Sequence, residues 1–200
     1  MPPEIDVVEL RPDLADDYFA LFDGAFRDNP EWDGCYCAFH DTTKEPFEPY
    51  DPEDNRTLRL ERVRSGAARG LLAYADGAPV GWCNVTRRST VINLRAFARA
   101  VADPDQDPAV ILCFVIDPDW RGRGVASALV RAAIEVSRGW GVPWLEAYPP
   151  KPDQDLEGQP WSAAFYTGPL GMYQQAGFEI ERDVGSGYVV RHHLTAPAEA

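Results

Sequence analysis

A buried strand followed by a glycine-rich turn and a helix is the feature that most constrains this chain. Residues 110–116 form an unbroken apolar run, which predicts a strand covered on both faces. Residues 117–120 turn the chain, and residues 121–127 then read Arg-Gly-Arg-Gly-Val-Ala-Ser at the start of a helical apolar pattern. The first N–H groups of a helix have no partner within it, and the helix dipole is positive there. The pattern therefore predicts a site for a phosphorylated cofactor.

Two other glycine motifs bind phosphates and serve as alternatives. A P-loop requires Gly-Lys followed by Ser or Thr, and the sequence contains no such segment. A dinucleotide fingerprint is closer, because Gly122 and Gly124 are correctly spaced and Glu146 follows about twenty residues later. Its third glycine is replaced by Ser127, however, and the four-residue segment Asp-Pro-Asp-Trp lies between the strand and the glycines. A tight turn without a ligand is the simplest alternative, but the arginines on either side of Gly122 favour an anion site.

The order of residues in this region resembles the GNAT superfamily of N-acetyltransferases. Arg121-x-x-Gly124-x-Ala126 is similar to the superfamily's (Gln/Arg)-x-x-Gly-x-(Gly/Ala) signature. A second segment, from Tyr173 to Phe178, is similar to its Tyr-x-x-x-Gly-Phe pattern. The two motifs occur in the expected order, and the resemblance covers residues 5–193, with its sharpest part between residues 110 and 180.

The element pattern and this resemblance together predict the fold class. It is α/β (an α+β mixed sheet) of GNAT type: a central mixed sheet with one splayed parallel strand pair, flanked by helices. Residues 142–148 are the predicted parallel partner of residues 110–116, joined to them through one helix. The last helix is predicted over residues 166–175, and a short helix is predicted around residues 94–100.

Length and composition predict a single domain without a membrane segment. The chain has 200 residues, of which 45% are hydrophobic and 26% charged, so one GNAT-like domain is expected over residues 1–200. The tail at residues 194–200 is expected to fray. No apolar run is long enough for a transmembrane helix, and residues 1–13 do not resemble a signal peptide, which predicts a cytoplasmic protein.

The charge of the chain is strongly negative and unevenly placed. Of a net charge of −13, residues 1–60 carry −11, from 16 acidic and 5 basic side chains. Such a surface is a poor partner for nucleic acid. It is either a solvated face that maintains solubility or an acceptor side that attracts cationic amines.

The resemblance implies an enzyme that moves an acetyl group from acetyl-CoA, its acetyl-donor co-substrate, to a primary amine of a small molecule. The amine would attack directly in a ternary complex. A non-catalytic acyl-CoA-binding or regulatory module on the same scaffold is the alternative. The superfamily often forms dimers, and an exposed edge strand would favour a homodimer. The sequence leaves open the acceptor amine, the length of the acyl chain and the oligomeric state.

The resemblance also implies which residues hold the cofactor. The pyrophosphate would lie on the backbone of residues 121–126, with the Ser127 hydroxyl and two arginine side chains nearby. Backbone groups of Phe114 and Ile116 would bind the pantetheine arm. The expected cofactor-binding residues are Phe114, Ile116, Arg121, Gly122, Arg123, Gly124, Val125, Ala126 and Ser127.

Tyr173 and Glu146 are the expected catalytic residues. Tyr173 matches the family's general acid, whose phenol would protonate the departing CoA thiolate. Glu146, near the end of the parallel strand, is the first candidate for the general base that deprotonates the amine; Asp117 is the second, and a water relay would need no base residue. Nucleophilic attack by Cys113 is the rival mechanism, but no Cys-His pairing in the sequence supports it.

The acceptor pocket is expected to be aromatic, because aromatic rings beside acidic groups can hold a cation. The candidate substrate-binding residues are Trp32, Tyr36, Trp82 and Trp161, and Cys35 and Phe39 are further candidates for the pocket lining. No metal site is expected, because Cys35-x-Cys37 has no second pair of cysteines or well-spaced histidines.

Overall fold

The computed structural model of the chain describes residues 4–43, 51–94, 105–151 and 166–194. The strands in chain order are β1 (Asp6–Glu9), β2 (Leu71–Ala75), β3 (Ala78–Arg87), β4 (Ala109–Ile116), β5 (Trp144–Ala147), β6 (Glu179–Asp183) and β7 (Tyr188–His193). The helices are α1 (Ala15–Ala25), α2 (Pro52–Arg64), α3 (Val125–Arg138) and α4 (Leu170–Gln175).

The seven described strands form one sheet in the order β1-β2-β3-β4-β5-β7-β6. Every neighbouring pair is antiparallel except β4 and β5, which are parallel. Helix α3 connects these two strands, as the apolar pattern of residues 110–148 predicts. The predicted mixed sheet with one parallel pair is therefore confirmed.

The parallel pair separates soon after it begins. Only residues 109–111 of β4 pair with β5, although β4 continues to Ile116. Strand β5 ends at Ala147, and Pro149 and Pro150 follow closely. Proline has no N–H group, so this segment cannot continue a regular hydrogen-bonded ladder. The second half of β4 consequently leaves an edge facing away from β3.

A bulge at Leu112 changes which face the side chains of β4 point to. Cys113 pairs with Asn84 and Ile111 with Val85, so Leu112 is the extra residue between them. Ile111 packs with the core beneath α3, whereas Cys113 packs with the core beneath α1 and α2. The bulge thus brings consecutive side chains of β4 to the side of the sheet that carries α1 and α2.

The two helical layers bury different parts of the sheet. Helix α3 places Val125, Leu129 and Ala133 against one face. On the other face, Tyr18 and Phe22 of α1 pack around a fully buried tryptophan of β3. None of the helices in the described part of the chain combines the length and apolar character needed to cross a bilayer.

One predicted helix differs from the structure at its start. The last helix begins at Leu170 rather than at residue 166, because Gly168 has a φ of +83° and Pro169 is extended. A 3-10 turn, Pro12–Leu14, precedes α1. Residues 95–100 of the predicted short helix and residues 195–200 of the tail lie outside the described residues.

Candidate functional site

A cleft of about 430 Å³ lies where β4 extends beyond β5. It runs from the N-terminus of α3, past the free edge of β4, to the segment that follows α1. Its walls contain both faces of β4, so the cleft passes through the sheet at the gap between the parallel strands. The lining residues are Phe26, Asn29, Trp32, Cys35, Cys113, Phe114, Val115, Ile116, Trp120, Arg121, Gly122, Gly124, Val125, Ala126, Ser127, Tyr166, Gly168, Pro169 and Met172.

One end of the cleft is a backbone cradle at the start of α3. Gly122 and Gly124 have φ angles of +70° and +88°, a conformation that side-chain-bearing residues adopt only with strain. Gly124 is the N-cap, and no side chain caps the helix. A Cβ atom added at either glycine would meet nothing within 4 Å, so the space in front of the backbone is open. The uncapped N–H groups and the helix dipole make this cradle suitable for an anion.

Arg121 holds the cradle in place rather than facing the cleft with a free guanidinium. Its Nε donates to the Ile116 carbonyl at 3.2 Å, and its Nη2 donates to Asp28 Oδ1 at 3.2 Å. Its Nη1 pairs with the other oxygen of Asp28. Arg123, by contrast, is exposed and lies over the ring of Trp120, with 5.3 Å between its Cζ and the ring centre. Of the two arginines expected beside the phosphates, Arg123 is therefore the one with an exposed guanidinium.

The free edge of β4 is partly covered by the chain itself. The Phe114 N–H donates to the Tyr166 carbonyl at 2.6 Å. Ile116 points its backbone groups to the same edge, because alternate residues of a strand do so. The Tyr166 ring lies against Trp32, with 5.6 Å between ring centres. The edge expected to bind a pantetheine arm therefore already has an internal partner at Phe114.

Tyr173 lies beneath the cleft and does not line it. Its side chain is fully buried, and its hydroxyl donates to the Thr167 carbonyl at 2.5 Å. Burial raises the pKa of this phenol well above its usual value, so the group keeps its proton. Its ring nevertheless comes close to β4, since a Cβ on Gly168 would lie 3.3 Å from both the Tyr173 and Phe114 rings. The role of Tyr173 as general acid stays a prediction.

Glu146 lies in a buried ion-pair cluster away from the cleft. It is 1% exposed. Its Oε1 accepts from Arg191 Nε at 2.8 Å, and its Oε2 lies 3.4 Å from Arg88 Nη1 and accepts from the Tyr148 hydroxyl at 3.2 Å. Because Glu146 does not line the cleft, its carboxylate is not placed to contact an amine there. Its role as general base remains a prediction that these contacts disfavour.

Asp117, the second candidate base, is paired with an arginine of the segment after α1. Arg27 donates to both of its oxygens, at 2.8 and 2.9 Å, and the Asp119 N–H donates to it at 2.9 Å. The hydrogen bonds from Arg27 lower the pKa of Asp117 despite its partial burial. The lowered pKa makes this carboxylate a weak base. Its ion pair with Arg27 joins the turn before α3 to the segment after α1.

The aromatic residues expected around the acceptor separate into three groups. Trp32 lines the cleft. Tyr36 donates its hydroxyl to Asp23 Oδ1 at 2.7 Å, and Trp82 is fully buried beside Tyr18, so neither lines the cleft. Trp161 lies outside the described residues. The alternation of β3 explains Trp82, because that residue faces the core beneath α1.

Three thiols gather at the end of the cleft near α1. Cys35 and Cys113 line the cleft, and Cys37 behind them accepts a hydrogen bond from Asn84 Nδ2 at 3.1 Å. Burial raises the pKa of Cys35 to about 12. A hydrogen bond with Cys37, together with burial, raises the pKa of Cys113 well above its usual value. Because a thiolate is the nucleophilic form, these environments disfavour covalent catalysis by Cys113.

Sequence reasoning missed several residues of the cleft. Phe26 and Asn29 follow α1 and lie far from β4 in the chain, so no local pattern links them to the anion cradle. The family motif points to Tyr173, whereas its neighbour Met172 is the residue that lines the cleft. The six-residue length of α4 gives too little periodicity to decide which of the two faces inward.

Comparisons with known proteins agree with this fold. The sequence profile of the Acetyltransferase (GNAT) family matches residues 32–155. A search of curated proteins found no match. A putative GNAT-family acetyltransferase from Desulfovibrio desulfuricans superposes with a TM-score of 0.55 at 14% identity, over 96% of this chain and 100% of that one.

Two further solved structures share the fold at similarly low identity. The PaiA N-acetyltransferase from Thermoplasma acidophilum, solved in complex with coenzyme A, has a TM-score of 0.52 at 14% identity, covering 95% of this chain and 99% of that one. The ribosomal-protein-S18-alanine N-acetyltransferase from Escherichia coli has a TM-score of 0.51 at 12% identity, covering 98% and 97%.

Proposed function

The chain belongs to the GNAT acetyltransferase family, and from this premise we propose that it transfers an acetyl group from acetyl-CoA to a primary amine of a small molecule. The observation that carries the proposal is the cleft, which joins an anion cradle to the free edge of β4 through the gap in the sheet. A ligand with a phosphate end and an extended amide-bearing arm matches both parts of it. The solved relative that holds coenzyme A supports the choice of donor.

The residues present fit such a ligand. The uncapped N–H groups of Val125, Ala126 and Ser127 would hold the pyrophosphate, and Arg123 would add a charge-assisted contact. The outward backbone groups of Phe114 and Ile116 would pair with the pantetheine arm, after the Tyr166 carbonyl has left Phe114. Acetyl-CoA supplies the activated thioester for the reaction.

Direct transfer requires two proton movements that this chain has to assist. The amine nitrogen forms a bond to the carbonyl carbon, the carbon–sulfur bond breaks, the amine loses a proton, and the thiolate gains one. Tyr173 would donate that proton, since its phenol stays protonated, but its hydroxyl must first leave the Thr167 carbonyl. A water relay to solvent would accept the amine proton, because Glu146 and Asp117 are both held by arginines.

Two measurements on the wild-type protein test the proposal. Acetyl-CoA at about 100 times its dissociation constant should raise the free energy of unfolding by about 2.7 kcal/mol, and NAD should not. Release of free CoA thiol in the presence of an amine panel then detects transfer. No shift with acetyl-CoA would refute the assignment of the cleft.

A matched pair of tyrosine variants tests the general acid. Tyr173→Phe keeps the buried ring and removes only the hydroxyl, so turnover should fall about 100-fold while acetyl-CoA binding is retained. Tyr188→Phe, on β7 outside the cleft lining, should leave turnover unchanged. An unchanged rate in Tyr173→Phe would remove its catalytic assignment.

A non-catalytic acyl-CoA-binding module is the second candidate. The buried, bonded hydroxyl of Tyr173 favours it, because no proton donor then faces the cleft from α4. Stabilisation by acetyl-CoA without thiol release for any amine would support this second candidate over the enzyme.

A further inference from the structure

A second, smaller cavity lies on the side of the sheet that carries α2, and we call it the arginine pocket. Its volume is about 20 Å³. On this measure a cavity of about 10–15 Å³ holds one water molecule, so the pocket is large enough for one small polar group. The residues that line it are His40, Asp41, Arg59, Arg62, Ala67, Arg69, Asn84, Thr86, Thr90, Val91 and Leu112.

Arg59, which lines this pocket, has a hydrogen-bond donor without a described partner. The residue is 1% exposed, its Nε donates to the Tyr18 hydroxyl at 2.9 Å, and its Nη1 pairs with Asp41. Its Nη2 is buried and has no hydrogen-bond partner within the described part of the chain. Such a donor is costly to bury, so an acceptor that reaches it would be strongly favoured.

The pocket carries positive charge in the most acidic part of the protein. Among the described residues that line the pocket, Arg59, Arg62 and Arg69 accompany one carboxylate, that of Asp41, which lies 3.0 Å from Arg62 Nε. His40 adds no charge at neutral pH, because burial lowers its pKa to about 4. Residues 1–60 nevertheless carry a net charge of −11. A pocket with a surplus of guanidinium groups therefore selects an anionic group that the surrounding surface would otherwise repel.

The arginine pocket is next to the end of the cleft where an acceptor would react. Leu112 lines the pocket and Cys113 lines the cleft, and consecutive Cα atoms are about 3.8 Å apart. The bulge of β4 turns both side chains to the same side of the sheet. Asn84, the strand partner of Cys113, lines the pocket as well. One molecule could therefore place its amine in the cleft and another group in the pocket.

We propose that the arginine pocket binds the carboxylate of the acceptor, so that the substrate class is amines that carry a carboxylate, such as amino acids. The inference rests on the proposed acetyl transfer. A carboxylate is planar and pairs with guanidinium groups through two parallel hydrogen bonds. An amino acid carries an ammonium group as well as a carboxylate, and the acidic surface would attract the ammonium group. A basic pocket within an acidic surface therefore suits such a molecule.

Anion binding can be tested without any reaction. Acetate, compared with the isosteric neutral amide acetamide, should raise the melting temperature of the wild-type protein. Arg69→Gln and Arg62→Gln, at the more exposed positions of the pocket, should abolish the difference. Arg64→Gln, an exposed arginine of α2 outside the pocket, is the matched control and should retain it. Equal effects of acetate and acetamide on the wild type would overturn the pocket assignment.

Steady-state kinetics test whether the carboxylate in the pocket belongs to the acceptor amine. Each amino acid of a panel is compared with its decarboxylated amine, for example phenylalanine with phenethylamine. The wild type should favour the carboxylate-bearing member at least tenfold in kcat/KM, and Arg69→Gln should lose that preference through KM while keeping kcat. Equal use of both members, or a preference that survives Arg69→Gln, would overturn the substrate class.

Acetyl-CoA binding separates this inference from the proposed function. Stabilisation by acetyl-CoA is measured in the same variants and should be unchanged, since the cradle lies on α3. A protein that binds acetate but neither binds acetyl-CoA nor acetylates an amine would refute the proposed function. That result would also mean that the pocket binds a free carboxylate and not an acceptor amine.

Discussion

Replacing Glu146 by glutamine distinguishes a structural role of this residue from a catalytic one. The substitution keeps the size of the side chain and removes its negative charge. Arg191 and Arg88, which are 8% and 5% exposed, would then lose their shared buried counter-ion. Removing one partner from a buried ion pair costs about 3–5 kcal/mol, although Arg191 here keeps an ion pair with Glu181 at 3.2 Å. For a chain of this length, that loss lowers the melting temperature by about 6–20 °C.

The assay combines denaturant unfolding with thiol-release kinetics below the melting temperature. We expect Glu146→Gln to lose stability while the folded fraction keeps a kcat within about threefold of wild type. Glu179→Gln, at an exposed position of β6, is the control and should change neither quantity. A stable Glu146→Gln protein whose kcat falls at least 100-fold would refute the structural argument and restore Glu146 as the general base.

Two further substitutions test the cradle and the environment of the arginine pocket. Gly124→Ala forces a side chain to a φ of +88°, so it should cost about 1–2 kcal/mol of stability and weaken acetyl-CoA binding. Gly66→Ala, at a φ of +72° outside the cleft, should cost similar stability in denaturant unfolding and leave acetyl-CoA binding intact in calorimetry. His40→Gln should flatten the pH dependence of stability between about pH 6.5 and 4. Burial lowers the pKa of His40 from 6.5 to about 4, so its contribution is complete above pH 6.5 and is lost as the pH falls through this window. The difference in unfolding free energy across the window should be about 3 kcal/mol smaller in the variant, and an unchanged difference would contradict the buried neutral imidazole.

Local signals account for the parts of the fold and site that the sequence predicts well. The apolar run of β4 and the glycine positions of the cradle depend on neighbours within a few residues, and both occur where expected. Asp51 likewise caps α2 through a local contact, accepting from the N–H groups of Glu53 and Asp54. These features need no knowledge of the distant chain.

Long-range contacts account for what the sequence does not reveal. Glu146 looks like an available base because its position near a strand end is visible, whereas its partners Arg88 and Arg191 are 58 and 45 residues away. Asp28, which forms an ion pair with the guanidinium of Arg121, is 93 residues away from it in the chain. The bulge at Leu112 has no glycine or proline to mark it, although it decides which side chains reach the arginine pocket.

The contact between Phe114 and the Tyr166 carbonyl has a consequence for the protein before any ligand arrives. A strand whose N–H groups face an open gap can template pairing with the strands of another chain, which leads to aggregation. The Tyr166 carbonyl covers that donor at the centre of the gap, and the Arg121 guanidinium covers the Ile116 carbonyl further along. Entry of the proposed cofactor would exchange one hydrogen bond for another instead of creating a new one. Until then, these contacts keep the gap in the sheet from pairing with a strand of another chain.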